Sequence, residues 1–121
     1  MLGDVGKAVE PSIASLISPA KIRVVKVAHH GSLTSSGEPF VAAARPAVAV
    51  ASVGRSNAFG HPSPLVVKRY ESAGAEVLRT DRDGAVTIDT DGRSVSVSTY
   101  SAARFTCCQR ASSSSSVASW R

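Results

Sequence analysis

The sequence predicts an α/β domain, and three observations lead to this fold class. Segments with apolar residues at helical spacing alternate with short runs rich in β-branched residues, which is the order of a layered α/β arrangement. The run at residues 47–53 is almost continuously apolar, as in a strand covered on both faces. Polar loops that hold all three histidines of the chain follow two of the predicted strands. Such strand ends are where α/β folds place their chemistry.

The first half of the chain predicts two helix–strand pairs. Val9, Ile13 and Leu16 are spaced as on one face of a helix, and Pro11 suits its first turn. Pro39 likewise suits the first turn of a second, shorter helix. The strands are rich in β-branched and small apolar residues. The predicted elements are, in order, a helix at 6–17, a strand at 22–28, a loop at 31–37, a helix at 38–45 and a strand at 47–53.

The second half predicts one further helix and three strands. Leu65 and Tyr70 belong to a helical pattern that Gly74 closes as a C-terminal cap. The step from Asp91 to Gly92 is a strong hairpin signal between the last two strands. The predicted elements are, in order, a polar loop at 54–63, a helix at 64–73 and strands at 76–79, 85–89 and 93–99.

The formal charge of +5 is unevenly distributed along the chain. Residues 101–121 carry three arginines, no acidic residue and a run of five serines, which leaves a charge of +2 for residues 1–100. Such a charge is ordinary for a domain of this size and by itself indicates no nucleic-acid partner. We expect residues 1–100 to form the folded domain and residues 101–121 a disordered, low-complexity tail. No stretch approaches the roughly 20 apolar residues that span a bilayer, so we expect the chain to be soluble as given.

The three histidines are the main candidates for chemistry. His29 and His30 follow a predicted strand and precede a glycine, which permits a sharp turn and close approach of the backbone to a ligand. Neighbouring side chains of a strand point to opposite faces, so one of the two is expected to face a given site. Ser32 is placed to hydrogen-bond a phosphate or carboxylate. His61 lies between a glycine and a proline that fix its backbone, and imidazole suits general acid–base work, although a structural loop fits the sequence equally well.

Asp4 is a candidate of a different kind, because it precedes the first predicted helix. A carboxylate in that position is often an N-cap or a partner of the helix dipole, and spacing alone favours this interpretation. The alternative is a metal ligand, since zinc accepts carboxylate oxygen as well as imidazole.

Taken together, the motifs resemble those of one family. They are, in order, LGD at residues 2–4, VKVAHHGS at 25–32, TSS at 34–36, SVG at 52–54, Asn57, GHP at 60–62 and RTDRDGA at 79–85. In this order and spacing the chain resembles the C-terminal metallo-β-lactamase-like domain of ComEC-type DNA-uptake (competence) proteins, from about Leu2 to about Tyr100. The fold that the resemblance implies is the C-terminal half of a metallo-β-lactamase αββα sandwich.

The resemblance also implies roles for the candidate residues. Asp4 would bridge two zinc ions, and His29 or His30 would be a further ligand at a strand end. His61, with Asn57 in the same loop, would be catalytic and lie beside the substrate phosphate as an acid or charge stabiliser. In such sites two zinc ions lower the pKa of a bridging water and polarise a phosphoryl oxygen. The implied substrate class is a phosphodiester, and DNA is the implied partner because the parent protein imports it.

The sequence departs from the family in its metal motif. The His-x-His-x-Asp-His cluster that defines the fold belongs to the N-terminal half of the family's domain and has no counterpart here. Two or three ligands do not hold a dinuclear zinc pair, so the chain is expected to be a truncated domain that is inactive alone. Without the N-terminal half-domain, the sheet face around Val48 and Val50 is expected to be exposed. The intact parent is expected in the bacterial cell membrane, with this domain soluble.

A second hypothesis is a non-catalytic module that keeps the loops and has lost the metal site. As a nucleic-acid-binding or remnant module, it would bind DNA in a salt-dependent manner without hydrolysing it. The cations that would contact the phosphates are Lys68, Arg69 and Arg79.

Overall fold

A computed structural model describes residues 2–101 with their side chains and residues 105–109 as backbone. The elements are helix α1 (Glu10–Ser15), strand β1 (Val24–Lys26), a turn (Ala28–Gly31), α2 (Glu38–Ala44), β2 (Val48–Ala51), α3 (Pro64–Ser72), β3 (Glu76–Arg79), the one-turn helix α4 (Thr80–Asp83), β4 (Val86–Thr90), β5 (Ser94–Thr99) and β6 (Phe105–Gln109). The mixed α/β class is confirmed, and each predicted helix and strand is present. The sequence predicts neither α4 nor β6.

The strands form two three-stranded sheets. The first is parallel with the order β1-β2-β3, and Val25 lies beside Ala49, which in turn lies beside Val77. Helices α2 and α3 lie in the connections between these strands, which allows neighbouring strands to run in the same direction. The second sheet is antiparallel with the order β4-β5-β6. Because β1 and β2 are parallel, the loops that follow them leave the sheet at the same edge.

The parallel sheet is covered on both faces. Alternate side chains of its strands point to opposite faces, which separates two apolar clusters. The helix-side cluster contains Val25, Val27, Phe40, Val41, Ala44, Ala49, Ala51, Val66, Tyr70 and Ala75. The other cluster contains Val48, Leu78, Val95 and Val97. The layers are therefore helices, parallel sheet and antiparallel sheet.

The second cluster corrects an expectation drawn from the sequence. The sequence predicts an exposed face around Val48 and Val50, but Val48 has no exposed surface and Val50 is partly buried. The β4–β5 hairpin folds back over this face, and Val95 and Val97 of β5 pack against Val48. The hairpin removes the apolar surface from water, which is the main favourable term in folding.

The turn residues predicted from the sequence have the expected conformations. Gly74 follows α3 with φ of 87°, and Gly92 lies in the β4–β5 hairpin with φ of 82°. Asp91 fixes that hairpin, because its carboxylate accepts hydrogen bonds from the N–H groups of Arg93 and Ser94 at 2.8 and 2.7 Å. Left-handed positions of this kind favour glycine, and both turns are confirmed.

Strand β6 falls in the segment that the sequence predicts to be a disordered tail. It pairs antiparallel with β5, with Phe105 opposite Val97. The structure thus gives a strand where the sequence predicts none, because β5 offers an edge of backbone groups to which a further strand adds. Residues 110–121 of the predicted tail lie outside the described residues. Within the described part of the chain, no helix has both the length and the apolar character needed to cross a membrane.

Candidate functional site

Three segments of the chain meet beyond the ends of β1 and β2. The His29 N–H donates a hydrogen bond to the carbonyl of Gly3 at 3.0 Å, one residue before Asp4. The Ser63 N–H donates to the carbonyl of Gly31 at 2.8 Å. These two bonds bring the segments of Asp4, the histidine pair and His61 to the same edge of the parallel sheet.

The backbone at the histidine pair is left-handed. The φ angles are 46° at His29, 53° at His30 and 83° at Gly31. The prediction that one histidine faces the site assumes the alternation of a strand, and the pair instead lies in a turn after β1. A left-handed conformation costs about 1–2 kcal/mol for each residue that has a side chain. The surrounding hydrogen bonds must therefore hold this turn in place, and strain of this kind is concentrated at functional sites.

His29 faces His61. Their ring centroids are 6.2 Å apart and the ring planes are tilted by 56°. Both side chains are partly buried. The Nδ1 atom of His29 lies 3.4 Å from the hydroxyl of Thr34, which follows in the same loop. Two imidazoles from separate strand-end loops thus share one region, where they can hold or donate protons.

His30 has a different environment. Its Nδ1 atom lies 2.7 Å from the carbonyl oxygen of Ser52, just beyond β2. A carbonyl oxygen only accepts, so Nδ1 carries the proton and donates it. In the neutral ring the Nε2 lone pair is then unprotonated, and the His30 side chain is exposed. A histidine held through Nδ1 in this way presents Nε2 as a metal ligand or proton acceptor.

Asn57 holds the backbone of His61. Its Oδ1 atom accepts a hydrogen bond from the His61 N–H at 2.8 Å. Its Nδ2 atom donates to the carbonyl of His61 at 2.9 Å and to that of Gly54 at 3.1 Å. Both amide hydrogens are thus used within the loop. This geometry makes Asn57 a positioning residue for His61.

Ser32 is buried, and its hydroxyl is engaged inside the turn. The Oγ atom lies 3.0 Å from the hydroxyl of Thr34 and accepts a hydrogen bond from the Thr34 N–H at 3.3 Å. The Ser32 N–H donates to the carbonyl of His29 at 2.9 Å. Ser32 therefore shapes the loop that carries His29, and its predicted contact with a substrate stays a prediction.

A buried polar network that sequence reasoning missed lies behind this loop. Glu10 is only 3% exposed, and its carboxylate accepts hydrogen bonds from the N–H groups of Ser36 and Gly37, the latter at 2.9 Å. The Ser36 hydroxyl lies 3.1 Å from the hydroxyl of Tyr70. Burial raises the pKa of the Tyr70 phenol above its ordinary value, while the hydrogen bond from Ser36 opposes this shift. In the sequence, Glu10 is one residue of a predicted helix and has no motif of its own. The signal that could have found it is the run Thr-Ser-Ser-Gly at 34–37, whose backbone N–H groups need hydrogen-bond acceptors if the loop is buried.

Two of the three cations proposed for DNA binding are already bonded within the chain. Arg79 forms a bidentate ion pair with Asp81, with distances of 3.0 Å from Nε to Oδ1 and 2.6 Å from Nη2 to Oδ2. The hydrogen bond from Arg79 lowers the pKa of the Asp81 carboxyl. Arg69 donates to the carbonyl of Ser36 at 3.2 Å. Lys68 is exposed on α3. This arrangement weakens the hypothesis of a binding module that uses all three.

The candidate metal ligands among the described residues are Asp4 and the histidine pair. Among residues 2–101 no group of three or more His, Cys, Asp or Glu side chains is arranged to hold a metal ion. A catalytic zinc ion takes three protein ligands, and those ligands need hydrogen-bonded partners of their own. Asp4, His29 and His30 meet this requirement only in part, since they lie in adjacent segments without forming such a group.

The fold and the site define a class of protein, a mixed α/β domain with histidines in two joined strand-end loops. The chain is similar to ComE operon protein 3 of Bacillus subtilis, with 35% identity over 86 residues, which are 71% of this chain and 11% of that protein. It is also similar to Competence protein ComA of Neisseria gonorrhoeae, with 45% identity over 64 residues, or 53% of this chain and 9% of that protein. Recombination protein 2 of Haemophilus influenzae is 38% identical over 69 residues, or 57% of this chain and 9% of that protein.

The chain spans about a tenth of the length of these relatives. No protein-family model matches the chain. No solved structure matches it.

Proposed function

We propose that the chain is part of a metal-dependent phosphodiesterase domain that acts in competence DNA uptake. The similarity to Competence protein ComA supports the competence context. The observation that carries the proposal is the meeting of His29 and His61, whose rings lie 6.2 Å apart although they follow different strands. Proton-transferring side chains gathered at the ends of neighbouring parallel strands are typical of a hydrolytic site.

The layer order supports a finer fold proposal, the C-terminal half of a metallo-β-lactamase αββα sandwich. One helical layer and two stacked sheets correspond to three of its four layers. The partner that completes the domain would be the N-terminal half-domain with the His-x-His-x-Asp-His motif. The intact parent would lie in the bacterial cell membrane.

The proposed chemistry assigns His61 to the phosphodiester. With its backbone held by Asn57 and its ring facing that of His29, His61 would donate a proton to a departing oxygen or stabilise negative charge on the phosphate. Asp4 and the Nε2 atom of His30 would be available as metal ligands. Zinc is the proposed metal, and the N-terminal half-domain would have to supply its remaining ligands.

The test is a complementation assay. The full chain is mixed with a separately produced half-domain that carries His-x-His-x-Asp-His, and hydrolysis of bis(p-nitrophenyl) phosphate and of a DNA oligonucleotide is followed with added zinc. We expect no turnover by the chain alone and zinc-dependent turnover by the pair. Loss of a positioned acid or base costs 10²–10⁴-fold, so His61→Ala should lower turnover by about that factor.

Leu16→Ala, which alters a side chain that is 80% exposed, is the control and should leave turnover unchanged. Turnover by the chain alone would overturn the division of the site between two half-domains. Failure of every motif-bearing half-domain to restore turnover, while the two halves form a complex, would overturn the enzymatic proposal.

A further inference from the structure

The side chain of Phe59 is 81% exposed, in the loop that carries His61. Its ring stacks on the His61 ring, with the centroids 5.9 Å apart and the planes 18° from parallel. Single exposed apolar side chains are common and need no explanation. Phe59 differs because its ring stacks on an imidazole of the candidate site.

The loop that presents Phe59 is held on both sides of the ring. Asn57, two residues before Phe59, forms two hydrogen bonds with the backbone of His61, two residues after it. Gly60 has φ of 67°, a left-handed position that favours glycine. Pro62 is buried and packs against Gly31. The aromatic ring is therefore presented at a fixed place, so a ligand that stacks on it loses little free energy in ordering the loop.

Exposed cations occur in the loop of Phe59 and on α3. Residues 54–70 contain Arg55, Lys68 and Arg69 and no acidic residue, and Arg69 is bonded to the Ser36 carbonyl. Arg55 is exposed in the same loop as Phe59, and Lys68 is exposed on α3. Proteins bind single-stranded nucleic acid with aromatic side chains on which bases stack and with cations that contact the backbone. The loop after β2 offers one of each, in Phe59 and Arg55.

We propose that Phe59 is a substrate-binding residue that stacks on an unpaired nucleobase next to the phosphate bound at His61. This inference rests on the proposed phosphodiesterase function and names its substrate class, a single-stranded nucleic acid. A nucleotide joins base and phosphate through one sugar, so a base on Phe59 brings the adjacent phosphate towards the neighbouring imidazole. A paired base is stacked on both sides within a duplex and does not offer its face to Phe59.

The test measures binding without turnover. Fluorescence anisotropy of a labelled oligothymidylate is compared with that of an abasic oligonucleotide of the same length, both at low salt, with the full chain. We expect the base-containing strand to bind roughly ten-fold tighter, in line with the measured contribution of base–aromatic stacking. Phe59→Ala should abolish this difference and leave the affinity for the abasic strand unchanged.

Two further variants make the test specific. Phe59→Trp keeps an aromatic platform and should keep the difference, and so should Leu65→Ala, which removes another exposed apolar side chain. Equal binding of both strands by the unaltered chain would overturn the inference. An equal loss of affinity for both strands in Phe59→Ala would also overturn it. So would unchanged binding of both strands in that variant, the result expected if Phe59 instead packs against another protein segment.

Failure of this inference is distinguishable from failure of the proposed function. Turnover of bis(p-nitrophenyl) phosphate by the complemented domain, with no base-dependent binding, would contradict only the role of Phe59. Base-dependent binding through Phe59 without turnover would contradict the enzymatic proposal and leave the stacking site in place.

Discussion

Gly31 lies so close to Pro62 that a Cβ atom at residue 31 would be 2.5 Å from the Pro62 Cβ atom. Next to this contact, the Gly31 carbonyl accepts the hydrogen bond from Ser63 at 2.8 Å. The two residues belong to the loops after β1 and β2, so this contact sets the relative position of His29 and His61. A glycine is required here both for its left-handed backbone and for the space that its missing side chain leaves.

We expect Gly31→Ala to lower the free energy of unfolding by about 3 kcal/mol. Left-handed backbone costs an alanine about 1–2 kcal/mol, and overlap with Pro62 adds about 1–3 kcal/mol. Gly74→Ala is the matched control, because Gly74 has φ of 87° but an added Cβ atom there would meet no other atom within 4 Å. It should lose only about 1–2 kcal/mol. Urea unfolding measures both, and equal losses would show that the contact with Pro62 is unimportant.

Asn57→Ala should release the His61 backbone. Loss of the side chain leaves the His61 N–H and carbonyl without their partners, which should cost about 1–3 kcal/mol of unfolding free energy. The specific readout is amide hydrogen exchange, which should become faster at His61 than in the unaltered chain. Ser56→Ala, an exposed neighbour, is the control and should leave this exchange rate unchanged. Unchanged exchange at His61 in Asn57→Ala would mean that the side chain does not hold the loop.

Local patterns predict much of this fold and the general position of the site. Helical spacing, β-branched runs and the turn glycines Gly74 and Gly92 are encoded within a few neighbouring residues, so the predicted elements differ from the observed ones mainly at their ends. The sequence also indicates the strand-end loops as the place for chemistry, and the parallel pairing of β1 and β2 brings two of these loops to the same edge. The hydrogen bond from Ser63 to Gly31 joins the two loops.

The features that the sequence does not predict depend on contacts between distant parts of the chain. Val48 is covered by Val97, 49 positions later, and no local pattern reports which strand folds over which face. The left-handed turn at His29 is held by Gly3, from a segment before α1. The carboxylate of Glu10 caps backbone groups 26 and 27 positions further on. The contacts made by Gly3 and Glu10 also shape the loop of the candidate site. The residues of the site are therefore easier to predict than the geometry in which they meet.

Glu10→Gln should destabilise the chain by about 1–3 kcal/mol, although the two side chains have nearly the same shape. The carboxylate accepts hydrogen bonds from Ser36 and Gly37 with separate oxygens. Glutamine offers one oxygen, and its amide group would face a buried N–H donor that then lacks an acceptor. Glu38→Gln, in the exposed first turn of α2, is the control for loss of one negative charge. Similar urea midpoints for the two variants would contradict a structural role for the buried carboxylate.

Glu76→Gln should change the pH dependence of stability. Burial in β3, and then the negative charge of Asp83, raise the pKa of the Glu76 carboxyl above its ordinary value. The folded chain therefore binds this proton more tightly than the unfolded chain. The resulting stabilisation is complete below the ordinary carboxyl range and is lost as the pH rises through the raised pKa.

At neutral pH the unaltered chain thus carries an unfavourable, partly buried charge, and Glu76→Gln should be the more stable of the two. The difference in unfolding free energy between them should shrink as the pH is lowered from 7 towards 4, because the carboxyl then becomes protonated. Urea unfolding at a series of pH values measures it, with Glu71→Gln on the exposed side of α3 as the control for removing one negative charge. A difference that is independent of pH, or that grows in acid, would show that Glu76 is not held in an unfavourable charged state.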